Sequence, residues 1–257
     1  MKSQYGEVAL EQDGHVAVLT IDRPPHNHVS VELMKNLADA LDDIDAERGL
    51  RASVLCSAGK SFCAGADLNA PSGLSVGGPV NTLYIEAVRL FRAKKPIIAA
   101  VQGAAIGAGL GLALVADFRI AAPEARFASN FVKLGFHPGF GISHTLARVV
   151  GEQRAALMCL TGRRIKAEEA LAWGLVDEVV PQADLREAAL KLAHEIAENA
   201  PLAVEATRKT LRDGLADKVK AQTDLEFVEQ TELRKTKDFA EGVKAVAERR
   251  PGKFVGA

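Results

Sequence analysis

A buried strand, a glycine-rich turn and an apolar helix follow one another in the middle of this chain and constrain its fold most. Residues 96–101 are predicted to be the strand, and a helix-length apolar run ends at Asp117. Glycines stand between them at positions 103, 107, 109 and 111. A helix that starts after such a turn points free backbone N–H groups at whatever lies above it. The stretch therefore predicts a site for an anion, or for an oxygen that becomes negative during a reaction.

A second small-residue turn is predicted to be its partner. Residues 52–57 form a predicted strand, and residues 58–68 follow as a small-residue turn that could open a helix. Two such turns facing each other would supply two N–H donors to one carbonyl oxygen.

The composition is that of an ordinary globular protein with an ample core. The chain has 257 residues, 48% hydrophobic and 25% charged, which allows one large domain or one domain with a small appendage. The net charge of -1, without a basic block, indicates no nucleic-acid partner. We see no signal peptide, no membrane-spanning run and no CxxC pair among the three cysteines. We therefore expect a cytoplasmic protein with reduced cysteines and no membrane partner.

Hydrophobic periodicity predicts strands alternating with helices, and then helices alone. Predicted strands cover residues 8–10, 15–21, 52–57, 96–101, 118–122 and 176–180. Predicted helices cover about 31–45, 83–95, 143–150, 152–160, 167–173, 184–199, 201–213, 217–237 and 239–249. Residues 69–80 are expected to be a loop and residues 127–141 to be irregular. The pattern indicates an α/β fold, with a core domain over residues 1–200 and a helical region over residues 201–257.

Six motifs resemble those of the crotonase (enoyl-CoA hydratase/isomerase) superfamily. They lie in the family's order at residues 62–68 (FCAGADL), 95–111 (KPIIAAVQGAAIGAGLG), 134–139 (LGFHPG), 160–170 (LTGRRIKAEEA), 173–177 (WGLVD) and 250–254 (RPGKF). The resemblance covers nearly the whole chain. It implies a spiral of strand–strand–helix units, followed by C-terminal helices that mediate trimer formation.

The same resemblance implies a substrate and the residues that bind it. The substrate would be an acyl-CoA thioester, with coenzyme A as part of the substrate and no metal or separate cofactor. The assembly would be a homotrimer or a dimer of trimers. The backbone N–H groups of Ala64 and Ala108 would form an oxyanion hole for the thioester oxygen. Substrate contacts are assigned to Arg23, Ala66, Asp67, Leu68, Phe131, Lys253 and Phe254.

The chain departs from the family at the residues that transfer protons. By resemblance, typical hydratases carry glutamates at the positions of Gly111 and Phe131, and some relatives carry an aspartate at the position of Gly139. None of the three positions holds an acid here. Simple hydration of an enoyl-CoA by the usual groups is therefore not expected, and another proton carrier would be needed.

His137 is the first candidate for that carrier. It lies in the 134–139 loop, and an imidazole titrates near neutral pH. His144 is interpreted as a helix cap and Glu86 as a solvated residue beside the acyl pocket. His26 and His28 are interpreted as surface loop residues within reach of the CoA phosphates.

Several functions stay open from the sequence. One is an enzyme that stabilises a thioester enolate, for isomerisation, decarboxylation, hydrolysis or hydration with unusual groups. A second is a homologue that binds acyl-CoA without chemistry, which the three empty positions favour. A dinucleotide site is disfavoured because Leu112 interrupts GxGxxG, and no GxSxG motif indicates a serine hydrolase.

Overall fold

Alternating and continuous apolar segments build two β-sheets in the computed structural model, which describes residues 2–66 and 82–257. The strands are β1 (Gln4–Tyr5), β2 (Val8–Asp13), β3 (Val16–Ile21), β4 (Ala52–Ser57), β5 (Ile97–Val101), β6 (Ala104–Ile106), β7 (Phe118–Ala121), β8 (Arg126–Ala128), β9 (Ile165–Lys166) and β10 (Glu178–Val179). Strands β1, β2, β3, β4, β5, β7 and β10 form the main sheet in that order. The first three pair antiparallel and the rest pair parallel, so the βα alternation predicted from the sequence is confirmed.

Helices cover the sheet and extend beyond it. They are α1 (Val31–Ala46), α2 (Thr82–Phe91), α3 (Ala108–Val115), α4 (Ile142–Val150), α5 (Glu152–Thr161), α6 (Ala167–Ala172), α7 (Leu185–Ala197), α8 (Pro201–Leu211), α9 (Leu215–Leu233) and α10 (Lys237–Ala247). The predicted N-cap Ser30 is confirmed, because its Oγ accepts the Leu33 N–H at 3.1 Å. No helix in the described ranges is both long and apolar enough to cross a membrane.

The main sheet is buried on both faces. Val16 and Val18 of β3 face α7, whose alanines at positions 189, 193 and 197 let the helix lie close to the sheet. Leu19 and Ile21 point the other way, into the larger core beneath α1 and α2. Side chains that face α7 recur every second residue in β3, and side chains that face the sheet recur every fourth residue in α7. The apolar pattern of the sequence predicts both spacings.

The smaller sheet was not predicted. Strand β8 pairs parallel with β6 and antiparallel with β9, and residues 131–134 then form a 3₁₀ helix. The prediction that residues 127–141 are wholly irregular was therefore wrong. Strands of two or three residues are too short to show an alternating pattern, so only their pairing reveals them.

Candidate functional site

The two predicted turns are hydrogen-bonded to each other. The Cys63 N–H donates to the Ala104 carbonyl at 2.9 Å, and the Ile106 N–H donates to the Cys63 carbonyl at 3.0 Å. A side chain at Gly109 would overlap that same Cys63 carbonyl, so the absence of a Cβ permits the contact. The bend after β4 and the bend before α3 thus form one unit.

Two backbone amides of this unit that border one cavity have no acceptor within residues 2–66 and 82–257. Ala108 is the first residue of α3, and its N–H has no acceptor in the described ranges. The N–H of Ala66 likewise donates to no described group, since the bridge to Val29 uses the Gly65 carbonyl. A Cβ built on Gly65, whose φ is +94°, would lie 3.9 Å from the Ala108 nitrogen. Ala66 and Ala108 both line one cavity of about 240 Å³.

Ala64 is a correction to the sequence analysis. Its N–H donates to the His26 carbonyl at 3.0 Å and is not available for a ligand. Ala64 does line the cavity, but the amide of this bend that has no acceptor among the described residues belongs to Ala66, two residues later. The motif at residues 62–68 correctly predicts the bend. It does not show which N–H of the bend is left without a described acceptor.

The cavity wall is mostly apolar. Leucine, phenylalanine and valine side chains from α2, the 3₁₀ helix and α10 line it, together with Ile106 of β6. Its polar side chains are His28, Tyr84, Asn130 and Gln230. Within residues 2–66 and 82–257, no Asp, Glu, Lys or Arg lines the cavity. A thioester and an acyl chain suit such a wall better than a charged group does.

Other groups fill the three positions where the family carries acids. A Cβ at Gly111 would lie 2.6 Å from the ring of Phe140, which is fully buried over that face of α3. Phe131 itself lines the cavity. A Cβ at Gly139 would overlap the Tyr84 hydroxyl. Aromatic side chains therefore occupy this part of the site.

The structure does not bring His137 to the cavity. Its Nδ1 lies 2.8 Å from the Pro138 carbonyl oxygen, and its side chain is not part of the wall. His144 and Glu86 also lie outside the wall; Glu86 pairs with Arg89 at 2.6 Å. Burial is the main cause that lowers the pKa of His144.

His28 lines the cavity instead, which corrects its interpretation as a surface residue. Its Nδ1 lies 3.1 Å from the Gly65 carbonyl oxygen. Because a carbonyl oxygen only accepts, Nδ1 carries a proton and Nε2 is left as the basic nitrogen of the neutral ring. A histidine four residues after Pro24 carries no sequence signal for this placement.

The remaining predicted substrate contacts lie apart from the cavity or outside the described residues. Arg23 pairs with Glu7 at 3.0 Å. Lys253 and Phe254 are exposed, and the Lys253 N–H donates to the Glu241 carboxylate at 2.8 Å. None of these three lines the cavity. Asp67 and Leu68 fall outside the described ranges.

A buried carboxyl supports the turn beside the cavity. Glu226 of α9 accepts the Gly141 N–H at 2.7 Å, and the N–H and Oγ of Ser143 at 3.2 and 2.5 Å. Desolvation raises the pKa of Glu226 to about 7, while these three donors act in the opposite direction. Glu226 holds the start of α4 in place, and no spacing in the sequence indicates it.

Fold and site together define an α/β protein whose apolar cavity is bordered by two backbone amides with no acceptor in the part of the chain that the structure describes. The sequence model of the Enoyl-CoA hydratase/isomerase family matches residues 11–257. The chain therefore belongs to the enoyl-CoA hydratase/isomerase family, within the crotonase superfamily.

Individual relatives match over almost their full length. The short-chain-enoyl-CoA hydratase of Clostridium acetobutylicum is 35% identical, covering 96% of this chain and 97% of its own. The 1,2-epoxyphenylacetyl-CoA isomerase of Escherichia coli is 35% identical, covering 94% and 95%. The crystal structure of an enoyl-CoA hydratase/isomerase from Pseudoalteromonas atlantica superimposes with a TM-score of 0.88 at 32% identity, covering 97% and 100%. The crotonase fold class with a helical C-terminal region is thereby confirmed.

Proposed function

We propose that this protein binds acyl-CoA thioesters and polarises the thioester carbonyl with the amides of Ala66 and Ala108. The observation that supports it is that both N–H groups lack an acceptor in the described ranges and line the same apolar cavity. Fixed donors aimed at a developing oxyanion contribute about 3 kcal/mol each to lowering a barrier. Coenzyme A enters as part of the substrate, and the proposal requires no separate cofactor.

The reaction would begin with an enolate. The bond between the α carbon and its hydrogen breaks and the proton passes to a base. The electron pair of that bond forms a double bond between the α carbon and the carbonyl carbon, and the carbonyl π pair moves onto the thioester oxygen. His28 is the candidate base, because its imidazole lines the cavity and its Nε2 is the ring nitrogen that does not contact the Gly65 carbonyl. Return of a proton at another carbon would give double-bond isomerisation. The two-glutamate hydration of relatives has no support in the described wall.

Hydrogen exchange at the α carbon tests this proposal. Butyryl-CoA incubated with the protein in D₂O should gain α-deuterium, measured by mass spectrometry. His28→Ala should slow the exchange by about 100-fold, since general-base help contributes two to four orders of magnitude. His26→Ala is the matched control, because His26 lies beside His28, with ring centroids 5.7 Å apart, but does not line the cavity.

A second candidate function is acyl-CoA binding without chemistry. The absence of carboxylates from the described cavity wall favours it. Binding of CoA esters with no exchange and no turnover across an acyl-CoA panel would select this candidate. Failure of every CoA ester to bind would contradict both.

Trimer formation through the C-terminal helices is also proposed, as a homotrimer or a dimer of trimers. Leu202, Leu211, Leu225 and Val228 lie exposed on α8 and α9, and a subunit interface would bury such apolar residues. Sedimentation equilibrium measures the subunit number directly. Contacts of Arg23, Lys253 and Phe254 with CoA stay predictions, which a structure with a bound CoA ester would test.

A further inference from the structure

Tyr84 and Gln230 form a hydrogen-bonded pair in the wall of the cavity. Tyr84 lies in α2 and Gln230 in α9, and both are buried. The Tyr84 hydroxyl and the Gln230 Oε1 are 2.8 Å apart. The Gln230 Nε2 lies 3.0 Å from the His137 carbonyl oxygen and 3.2 Å from the Pro138 carbonyl oxygen.

The direction of each hydrogen bond in this pair is determined. Both carbonyls only accept, so the Gln230 amide nitrogen donates to them. Reversing the amide would set Oε1 against two other acceptors. Oε1 therefore faces Tyr84, and the Tyr84 hydroxyl must donate its single proton to it. What the hydroxyl can offer to the cavity is a lone pair and not a proton.

Gly139 makes room for this arrangement. A side chain at position 139 would overlap the Tyr84 hydroxyl, so the pair and an acid at this position exclude each other. The Phe140 backbone N–H faces the same hydroxyl oxygen and uses part of its accepting capacity. Within residues 2–66 and 82–257 no other donor reaches this oxygen, so one lone pair is left for a ligand.

We propose that the Tyr84–Gln230 pair is an acceptor subsite that selects acyl chains carrying a hydroxyl group. The proposal rests on the acyl-CoA function proposed above. The Ala66 and Ala108 amides lie on the bends, whereas this pair comes from α2 and α9 in the wall of the same cavity. The proposal therefore assigns the thioester oxygen to the amides and the acyl chain to the pair. A carboxylate or ketone, which only accepts, would meet an unfavourable lone pair in an apolar wall.

Binding of matched CoA esters tests the subsite. Calorimetry would compare butyryl-CoA with 3-hydroxybutyryl-CoA and 4-hydroxybutyryl-CoA. The wild-type protein should bind at least one of the two hydroxylated esters about tenfold more tightly than butyryl-CoA. A difference of this size corresponds to one buried hydrogen bond. Tyr84→Phe keeps the ring, and it should abolish that preference, measured as the ratio of the two affinities. Tyr5→Phe removes the other tyrosine hydroxyl, which lies away from the cavity, and should preserve the preference.

Gln230→Leu provides a second and opposite readout. Without Oε1, the Tyr84 hydroxyl is free to donate into the cavity, so acetoacetyl-CoA should gain affinity relative to the hydroxylated esters. Thermal unfolding would establish that both variants are folded. Equal wild-type binding of butyryl and hydroxylated esters, or an unchanged preference in Tyr84→Phe, would overturn the subsite alone. If no CoA ester binds, the proposed function fails with it.

Discussion

Single residues decide which proton transfers the cavity can support. The lack of acids at Gly111, Phe131 and Gly139 is visible in the sequence, but the groups that take their place are not. Phe140 and Tyr84 fill the space beside the two glycines because the chain folds them there, and no spacing relates Tyr84 to Gly139. The empty positions were therefore predictable, while the aromatic and hydroxyl groups that occupy the site were not.

Glu226 gives the clearest pH dependence. Desolvation raises its pKa from about 4.5 to about 7 in the folded protein. The folded state then binds this proton more tightly than the unfolded state does. The free energy of unfolding should therefore fall as the pH rises from about 4.5 to about 7, by on the order of 3 kcal/mol from this group.

Denaturant titration of wild type and Glu226→Gln across that pH range measures the effect. The variant should lack this part of the pH dependence, because its amide does not titrate. Glu229→Gln, on an exposed position of the same helix, is the matched control and should keep the wild-type profile. Identical profiles for wild type and Glu226→Gln would contradict the assignment.

At the scale of elements, one largely buried carboxylate joins α8 to the core. Asp117, before β7, accepts the Ile97 N–H at 2.9 Å and pairs with Arg208 at 2.9 Å and with Arg212 at 2.7 Å. Desolvation acts to raise the pKa of Asp117, but the two guanidinium groups outweigh it and hold that pKa below its ordinary value. Arg208 also donates to the Ala93 carbonyl, so α8 is tied to two parts of the core.

Asp117→Asn should destabilise the protein by about 3–5 kcal/mol, because it leaves the buried Arg208 and the partly buried Arg212 without their charge partner. Chemical denaturation measures the loss. Asp213→Asn removes an exposed carboxylate one residue after Arg212 and should change stability by less than about 0.5 kcal/mol. A similarly small effect for Asp117→Asn would show that the pairs do not hold α8.

Long elements were predictable from the sequence, and short ones were not. The 16 residues of α1 and the six of β4 carry enough apolar positions to establish their period. Strands β6, β8 and β9 have two or three residues each, and only their partners define them. The 3₁₀ helix at Phe131–Leu134 packs against α10, a contact between segments far apart in sequence.

At the scale of the whole molecule, the cavity joins segments from most of the chain. The two bends contribute the amides, α2 and α9 contribute the Tyr84–Gln230 pair, and α10 covers one side through Val243 and Val246. The motifs located both bends and thus the site. They could not distinguish Ala64 from Ala66, because the choice depends on which N–H meets the His26 carbonyl in the folded protein.

The central claim is that the amides of Ala66 and Ala108 both donate hydrogen bonds to one thioester oxygen. Ala108→Pro removes one of these N–H groups at the first position of α3, where proline is tolerated in a helix. Ala108→Gly keeps the N–H and is the matched control.

The most direct measurement is the infrared band of butyryl-CoA labelled with ¹³C at the thioester carbonyl. On binding to wild type and to Ala108→Gly, the band should move to lower wavenumber, because two donors weaken the C=O bond. Bound to Ala108→Pro, it should move distinctly less. An equal shift in Ala108→Pro, or no shift in the wild type, would contradict the paired-amide site.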